Sequence, residues 1–150
     1  MTRATRNQML MGMAWSVADR STCDRLNVGA VIARDGRVIS SGYNGNLVGM
    51  DHCRHDPATG PCTSAVHAEA NAILFAARYG TAVEGAQLFT THEPCLDCAK
   101  LIVNAGITTV IYAMEYRKHD GLELLLKAPS VVVGQYFRGD VLAINALPKS

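Results

Sequence analysis

Four residues of this chain have the types and spacing to do chemistry: His67 and Glu69, then Cys95 and Cys98. They stand in the strings His67-Ala68-Glu69 and Pro94-Cys95-Leu96-Asp97-Cys98. One imidazole and two thiolates suit a zinc ion that keeps its fourth position open for water. Such an ion makes water a nucleophile near neutral pH. A carboxylate two residues past the imidazole is placed to move protons for that water, a role worth about 10²- to 10⁴-fold in rate. It should not bind the metal, because ligation would use the lone pairs that carry the proton. Each residue alone has a plainer reading. A lone histidine is a core or surface residue, a lone C-x-x-C is a redox pair or half of a structural zinc site, and a lone glutamate is a helix-start acid. A structural zinc would want a fourth cysteine or histidine, and the nearest, His92, sits at a strand end three residues before Cys95.

Two helix starts must position these groups. Residues 67–79 read as a helix, with Ala68, Ala72, Ala76 and Ala77 favouring it and Gly80 stopping it. Pro94 reads as the start of another, where its missing N–H costs nothing, and Gly106 ends it. Both N-termini carry partial positive charge, which favours thiolate over thiol. Around them, residues 5–19 form a first helix with Met9, Met13 and Val17 on one face and Leu10 and Ala14 beside it. Strands are expected over 28–33 and 38–42, joined by the hairpin turn Asp35-Gly36. Further strands read over 86–91, 110–113 and 131–133, with a helix over 119–128 stopped by Pro129. Residues 141–147 suit either a last strand or a short helix. The order α-β-β-α-β-α-β-α-β predicts an α/β fold: a three-layer α-β-α sandwich with a five-stranded mixed sheet and helices on both faces. Asn44 to Val66 is a long loop dotted with glycine and proline, and a loop of that length inside a compact unit usually has a job.

The chain is 150 residues long, and no repeat, low-complexity tract or linker divides it, so residues 1–150 are expected to form one domain. Hydrophobic content of 49% with 18% charged residues is globular in character. A net charge of +1 offers no broad basic field, so a nucleic-acid polymer is not an expected partner. No apolar run approaches the roughly 20 residues of a membrane span. Met1 to Arg20 faintly imitates a signal peptide, but Gln8, Ser16 and Asp19-Arg20 interrupt it. Five cysteines, an odd count with two in a C-x-x-C, suit a reducing compartment and metal binding. A cytoplasmic location is therefore expected.

H-x-E followed by P-C-x-x-C is the signature of the zinc-dependent nucleobase deaminases. The chain resembles the deoxycytidylate deaminases of that superfamily from about Met9 to Val133. The likeness also rests on Cys23-Asp24-Arg25 before Val28-Gly29-Ala30-Val31-Ile32, on Ser41-Gly42-Tyr43-Asn44-Gly45, on Thr90-Thr91-His92-Glu93 before Pro94, and on Asn104-Ala105-Gly106-Ile107. The resemblance implies zinc-dependent hydrolysis of dCMP to dUMP, which feeds dTTP synthesis. It also implies a homohexamer, activation by dCTP and inhibition by dTTP with Mg²⁺. Within it, Glu69 is the catalytic residue and His67, Cys95 and Cys98 hold the zinc.

Substrate contacts are expected at Asn44, Ala68, Arg25 and Tyr116. Asn44 offers donor and acceptors at the mouth of the pocket, and by resemblance it would hold the sugar or base. The plainer reading is that Asn44-Gly45 is only a turn. Arg20, Arg25, Arg117 and Lys118 are candidate phosphate anchors, since arginine matches phosphate bidentately. For each of them a solvated surface charge is the plainer reading. Tyr116 would stack or hydrogen-bond near the sugar, and Phe89 and Ile73 belong to the core. By resemblance, Gly42, Tyr43 and Gly45 would help form the effector pocket. Some members of the resembled family hold a second, structural zinc, and here Cys23, Cys53 and Cys62 with His55 or His52 would supply its ligands. Two rivals stay open: deamination of dCTP, deoxycytidine or tRNA adenosine on the same scaffold, and a zinc-stabilised binding module without turnover.

Overall fold

The computed structural model describes residues 2–60 and 62–144. Ten elements follow one another: α1 (Arg6–Ala18), β1 (Gly29–Arg34), β2 (Arg37–Tyr43), α2 (Ala68–Arg78), β3 (Gln87–His92), α3 (Leu96–Asn104), β4 (Thr109–Met114), α4 (Asp120–Lys127), β5 (Val132–Phe137) and β6 (Asp140–Ala143). The strands form one mixed sheet in the order β2-β1-β3-β4-β5-β6. β3, β4 and β5 run parallel, joined by the crossover helices α3 and α4. β2 and β1, β1 and β3, and β5 and β6 pair antiparallel.

Helices cover both faces, as the alternation of the strands requires. Ala30, Ile32, Leu88, Val110 and Val133 pack with Ala68 and Ala72 of α2, Ala99 and Ile102 of α3, and Leu125 of α4. The alternate residues Val31, Ala33, Phe89 and Ile111 pack under Leu10, Met11 and Ala14 of α1. Phe89 is fully buried and Ile73 lies partly buried against the larger cluster, as expected. Burying each such side chain contributes about 1.5–3 kcal/mol.

Three expectations need correction. The sheet has six strands, not five. The extra one is β6, which settles residues 140–143 of the ambiguous C-terminal stretch as strand; residues 145–147 of that stretch lie outside the described ones. The turn before it is Arg138-Gly139, with φ of 51° and 87°. It is a two-residue hairpin whose first position takes the left-handed region without the glycine, asparagine or aspartate that would have signalled it. Second, α1 buries Leu10, Met11, Ala14 and Ala18, while Met9 and Met13 stay exposed. Gly29 explains the rotation. A Cβ there would run into the Ala14 carbonyl and the Ala18 amide, so β1 draws the small-residue face of α1 onto itself. Third, Pro94 precedes α3 rather than opening it, because Cys95 is the N-cap.

Local sequence sets the helix ends. Thr5 and Gln8 form a capping box at α1, with the Thr5 Oγ1 accepting from the Gln8 amide at 3.2 Å and the Gln8 Oε1 accepting from the Thr5 amide at 2.9 Å. His67 and Cys95 occupy the N-cap positions of α2 and α3 in extended conformation, and neither makes a side-chain cap bond. Their side chains are thereby left for something else.

Candidate active site

The N-cap placement brings the four signature residues together. Cys95 caps α3 and Cys98 lies three residues on, in its first turn, so both sulfurs face the same way. α2 packs beside α3 and presents His67 at its own cap. The His67 Nδ1 lies 3.3 Å from the Cys95 Sγ and 3.5 Å from the Cys98 Sγ. Among the described residues, these three are the one group of three or more donors, all within 4.8 Å of one another, that can hold a metal ion. A tetrahedral zinc with ordinary Zn–S and Zn–N lengths has S–N edges of about 3.6 Å, so the spacing fits. The donor set, two soft sulfurs and one imidazole, also fits zinc.

Charge at the site is already biased toward a cation. The Cys95 thiol is pulled down to about 4, first by the hydrogen bond from Cys98 and then by that from His67. Cys98 moves the other way, first because it donates that same bond and then because it is buried. The pair therefore ionises at Cys95. His67 is raised, chiefly by its bond to Cys95.

Glu69, in the first turn of α2, is fully enclosed at 4% exposure. Burial raises its pKa above the usual carboxylate value. A carboxyl raised in this way suits a group that must both take and return a proton. Its Oε1 accepts from the Thr90 hydroxyl at 3.4 Å, and that hydroxyl also reaches the His92 carbonyl at 3.0 Å.

Three of the four, His67, Glu69 and Cys95, border a cleft of about 150 Å³. His67, Ala68, Glu69 and Cys95 line it, as do Arg25, Asn44 and Tyr116. Among the proposed phosphate anchors only Arg25 reaches its wall; Arg117 stacks over the Tyr116 ring at 5.7 Å. Arg20 and Lys118 do not line it.

Asn44 anchors the backbone around it. Its Oδ1 accepts from the Val28 amide at 2.8 Å and from the Ser21 hydroxyl at 2.6 Å, and its Nδ2 donates to the Leu26 carbonyl at 2.6 Å. Both acceptor sites are used, so one amide N–H is left for a ligand. Gly42 and Gly45 also have structural reasons. A Cβ at Gly42 would strike the Ala68 carbonyl and Ala72 amide of α2, and one at Gly45 would strike the Thr22 hydroxyl. Tyr43 is partly exposed, and its carbonyl accepts from the Asn71 side chain at 2.8 Å.

Cys23, Cys53, His55 and Cys62 all border the same cleft. Cys53 and Cys62 approach to 3.2 Å between sulfurs, and Cys23 is bridged to Cys53 through the backbone. The four do not converge into a three-donor group. Burial, followed by contact with Cys62, pushes the Cys53 thiol up to about 11, whereas Cys62 is lowered chiefly by the Ser64 hydroxyl.

Two further residues line the wall: His92, weighed from sequence only as a fourth ligand for a structural zinc, and Glu93, to which sequence reasoning gave no role. The His92 Nδ1 sits 2.8 Å from the Thr91 hydroxyl, its ring meets Trp15 edge-on, and burial lowers its pKa toward the neutral form. Glu93 is a buried carboxylate whose partners lie more than twenty residues downstream, a pairing that no local pattern signals.

Comparison with known proteins agrees with this geometry. Residues 4–114 match the family described as the cytidine and deoxycytidylate deaminase zinc-binding region. The chain is 42% identical over 138 residues to ComE operon protein 2 of Bacillus subtilis (strain 168), covering 90% of this chain and 73% of that protein. It is 39% identical over 129 residues to the deoxycytidylate deaminase of Mycobacterium phage D29, covering 77% of this chain and 99% of that one. Among solved structures, the dCMP deaminase of cyanophage S-TIM5, in complex with dCMP and dUMP, superposes with a TM-score of 0.84 at 31% identity, covering 91% of this chain and all of that one. The donor triad at two helix caps, the buried glutamate beside it and these likenesses converge: the chain belongs to the cytidine and deoxycytidylate deaminase zinc-binding family.

Proposed function

We propose that this chain hydrolyses dCMP to dUMP and ammonia, with His67, Cys95 and Cys98 as zinc ligands and Glu69 as the proton carrier. The observation that carries the reading is the enclosed Glu69 carboxyl lining the same cleft as His67 and Cys95. A binding module has no use for a buried acid there, because burying an ionisable group is costly. When bound, zinc supplies the Lewis acidity that brings the pKa of a water toward 7.

The proton inventory defines the work of Glu69. In the reaction a C4–O bond forms and the C4–N bond to the exocyclic amine breaks. One proton of the water ends on ring nitrogen N3 and the other leaves with ammonia. Glu69 takes each and returns it, and burial, which raises its pKa, favours the protonated form it must hold between the two transfers. Ala68, wholly buried next to it, packs the cleft floor. Asn44, through its remaining amide N–H, and Tyr116 orient the nucleotide, and Arg25 pairs with its phosphate.

The D29 and S-TIM5 relatives, named for deoxycytidylate and dCMP, support the monophosphate as substrate. Ammonia release from dC, dCMP, dCTP and a tRNA stem-loop tests it. dCMP should exceed the others; a tRNA or nucleoside preference would overturn the assignment.

Three finer parts of the reading rest on the family resemblance. The first is control by dCTP as activator and by dTTP with Mg²⁺ as inhibitor through the segment Gly42 to Gly45. The second is assembly as a homohexamer, which the exposed Leu74 and Phe75 of α2 and Tyr79 at its C-cap also support. The third is a structural zinc on Cys23, Cys53, His55 and Cys62, supported by the 3.2 Å approach of two of its sulfurs. A dCMP saturation curve that dCTP straightens and dTTP suppresses would support the first, and sedimentation the second. None of the five cysteines is in a disulfide, which fits a cytoplasmic setting; among the described residues no helix is long and apolar enough to cross a membrane.

A further inference from the structure

Glu93 is 3% exposed, borders the cleft, and takes no part in the chemistry just described. A buried carboxylate persists only when donors satisfy it. Among the described residues, every donor comes from one segment, the loop between β4 and α4. The Tyr116 amide donates to Oε2 at 3.3 Å, and the His119 Nδ1 stands 3.0 Å from both carboxylate oxygens. The backbone joins in, since the Glu93 amide donates to the Met114 carbonyl at 2.8 Å. Residues 114, 116 and 119 are thus all tied to a single position at the end of β3.

A second observation is independent of these bonds. Gly121, in the first turn of α4, is buried. A Cβ there would meet the Pro94 carbonyl, and would lie 2.6 Å from the Cys95 carbonyl carbon and 2.7 Å from its oxygen. The start of α4 is therefore pressed against the backbone of the cysteine turn. Between this contact and β4, the loop that carries Tyr116 has little freedom to move off the cleft.

We propose that Glu93 is a positioning residue: by holding the Tyr116 amide and His119 it fixes Tyr116 as a wall of the nucleotide cleft, and so sets substrate affinity without touching the metal ligands or the proton carrier. The proposal rests on reading that cleft as the nucleotide site. It differs from a purely packing role for Glu93, which would alter stability and leave the loop's dynamics and KM alone.

The test uses the zinc-loaded 150-residue chain with four substitutions, Glu93→Ala, Glu93→Gln, His119→Ala and Tyr116→Ala, and the double variant of the first and last. Glu93→Ala should raise KM for dCMP about tenfold while kcat changes less than about twofold and zinc content holds. Glu93→Gln should recover most of the loss, because an amide oxygen still accepts from the Tyr116 amide. The double variant should be no worse than about the worse single one, since both remove the same wall. Amide exchange over residues 114–119 should speed up in Glu93→Ala and His119→Ala, with residues 96–104 unchanged. A fall in kcat at constant KM, an additive double variant, or unaltered exchange over 114–119 would each overturn the proposal. His119 is half-exposed, so its variant answers the same questions if Glu93→Ala does not fold. A parent chain with no dCMP turnover would instead defeat the assigned function, and the exchange data would still decide whether Glu93 tethers the loop.

Discussion

Replacing Asn44 by alanine separates two roles that its position allows. The side chain is 9% exposed and makes three hydrogen bonds, to the Val28 amide, the Ser21 hydroxyl and the Leu26 carbonyl, at 2.6–2.8 Å. Ser21 keeps a partner in the variant, because its hydroxyl also donates to the Asn44 backbone carbonyl at 2.9 Å. The Val28 amide and Leu26 carbonyl do not keep their side-chain partner. Losing the two bonds to Val28 and Leu26 at about 1 kcal/mol each, and leaving those two backbone groups poorly satisfied, gives a destabilisation of about 2–4 kcal/mol. For a chain of this size that is a fall in Tm of about 5–12 °C. Urea unfolding of the zinc-loaded protein should show the drop as a lower midpoint at unchanged slope. Asn44→Asp keeps the Oδ1 acceptor but sets a second oxygen against the Leu26 carbonyl, so it should also destabilise. If Asn44→Ala unfolds within about 0.5 kcal/mol of the parent yet no longer binds nucleotide, Asn44 only grips substrate, and its anchoring of residues 21–28 is wrong.

Three further outcomes follow from the same structure. Gly42→Ala forces a methyl into the backbone of α2, so it should destabilise by about 2–3 kcal/mol whether or not an effector is present; calorimetry showing no loss would return Gly42 to an effector-only role. The Glu93 carboxylate raises the pKa of His119 above its ordinary 6.5, so the stabilisation from this pair is complete below pH 6.5 and fades as pH rises through the raised value. Stability measured across that range should fall more steeply in the parent than in His119→Ala, and parallel curves would contradict the pairing. Metal analysis should return two zincs per chain if Cys53 and its neighbours hold an ion, and Cys53→Ser should lose one of them; one zinc in both proteins would remove the second site.

The sequence made the chemistry legible because the donors sit at fixed offsets from helix starts. His67 and Glu69 are N-cap and second residue of α2, and Cys95 and Cys98 span one turn at the start of α3. Periodicity and glycine stops then placed most strands and helices within a residue or two. Three kinds of fact were not legible. The Arg138-Gly139 hairpin lacked its usual residues, so β6 stayed ambiguous. The buried face of α1 was chosen by the bare backbone of Gly29, a tertiary contact that no helical period of α1 encodes. The partners of Glu93 and Asn44 lie 16 to 26 residues away, and only the fold brings them into reach. Composition could not decide whether the loop cysteines converge on an ion; the fold brings two of them together and leaves the set short of a cluster.

The proposed chemistry requires a buried carboxyl that carries protons beside a three-donor metal site. Ammonia release from dCMP by Glu69→Gln, with zinc content measured on the same sample, tests it most directly. An amide fills the same space but cannot shuttle a proton, so zinc and thermal unfolding should match the parent while turnover falls by about 10²-fold or more. A variant that keeps its zinc and turns over dCMP at near the parent rate would contradict the assignment.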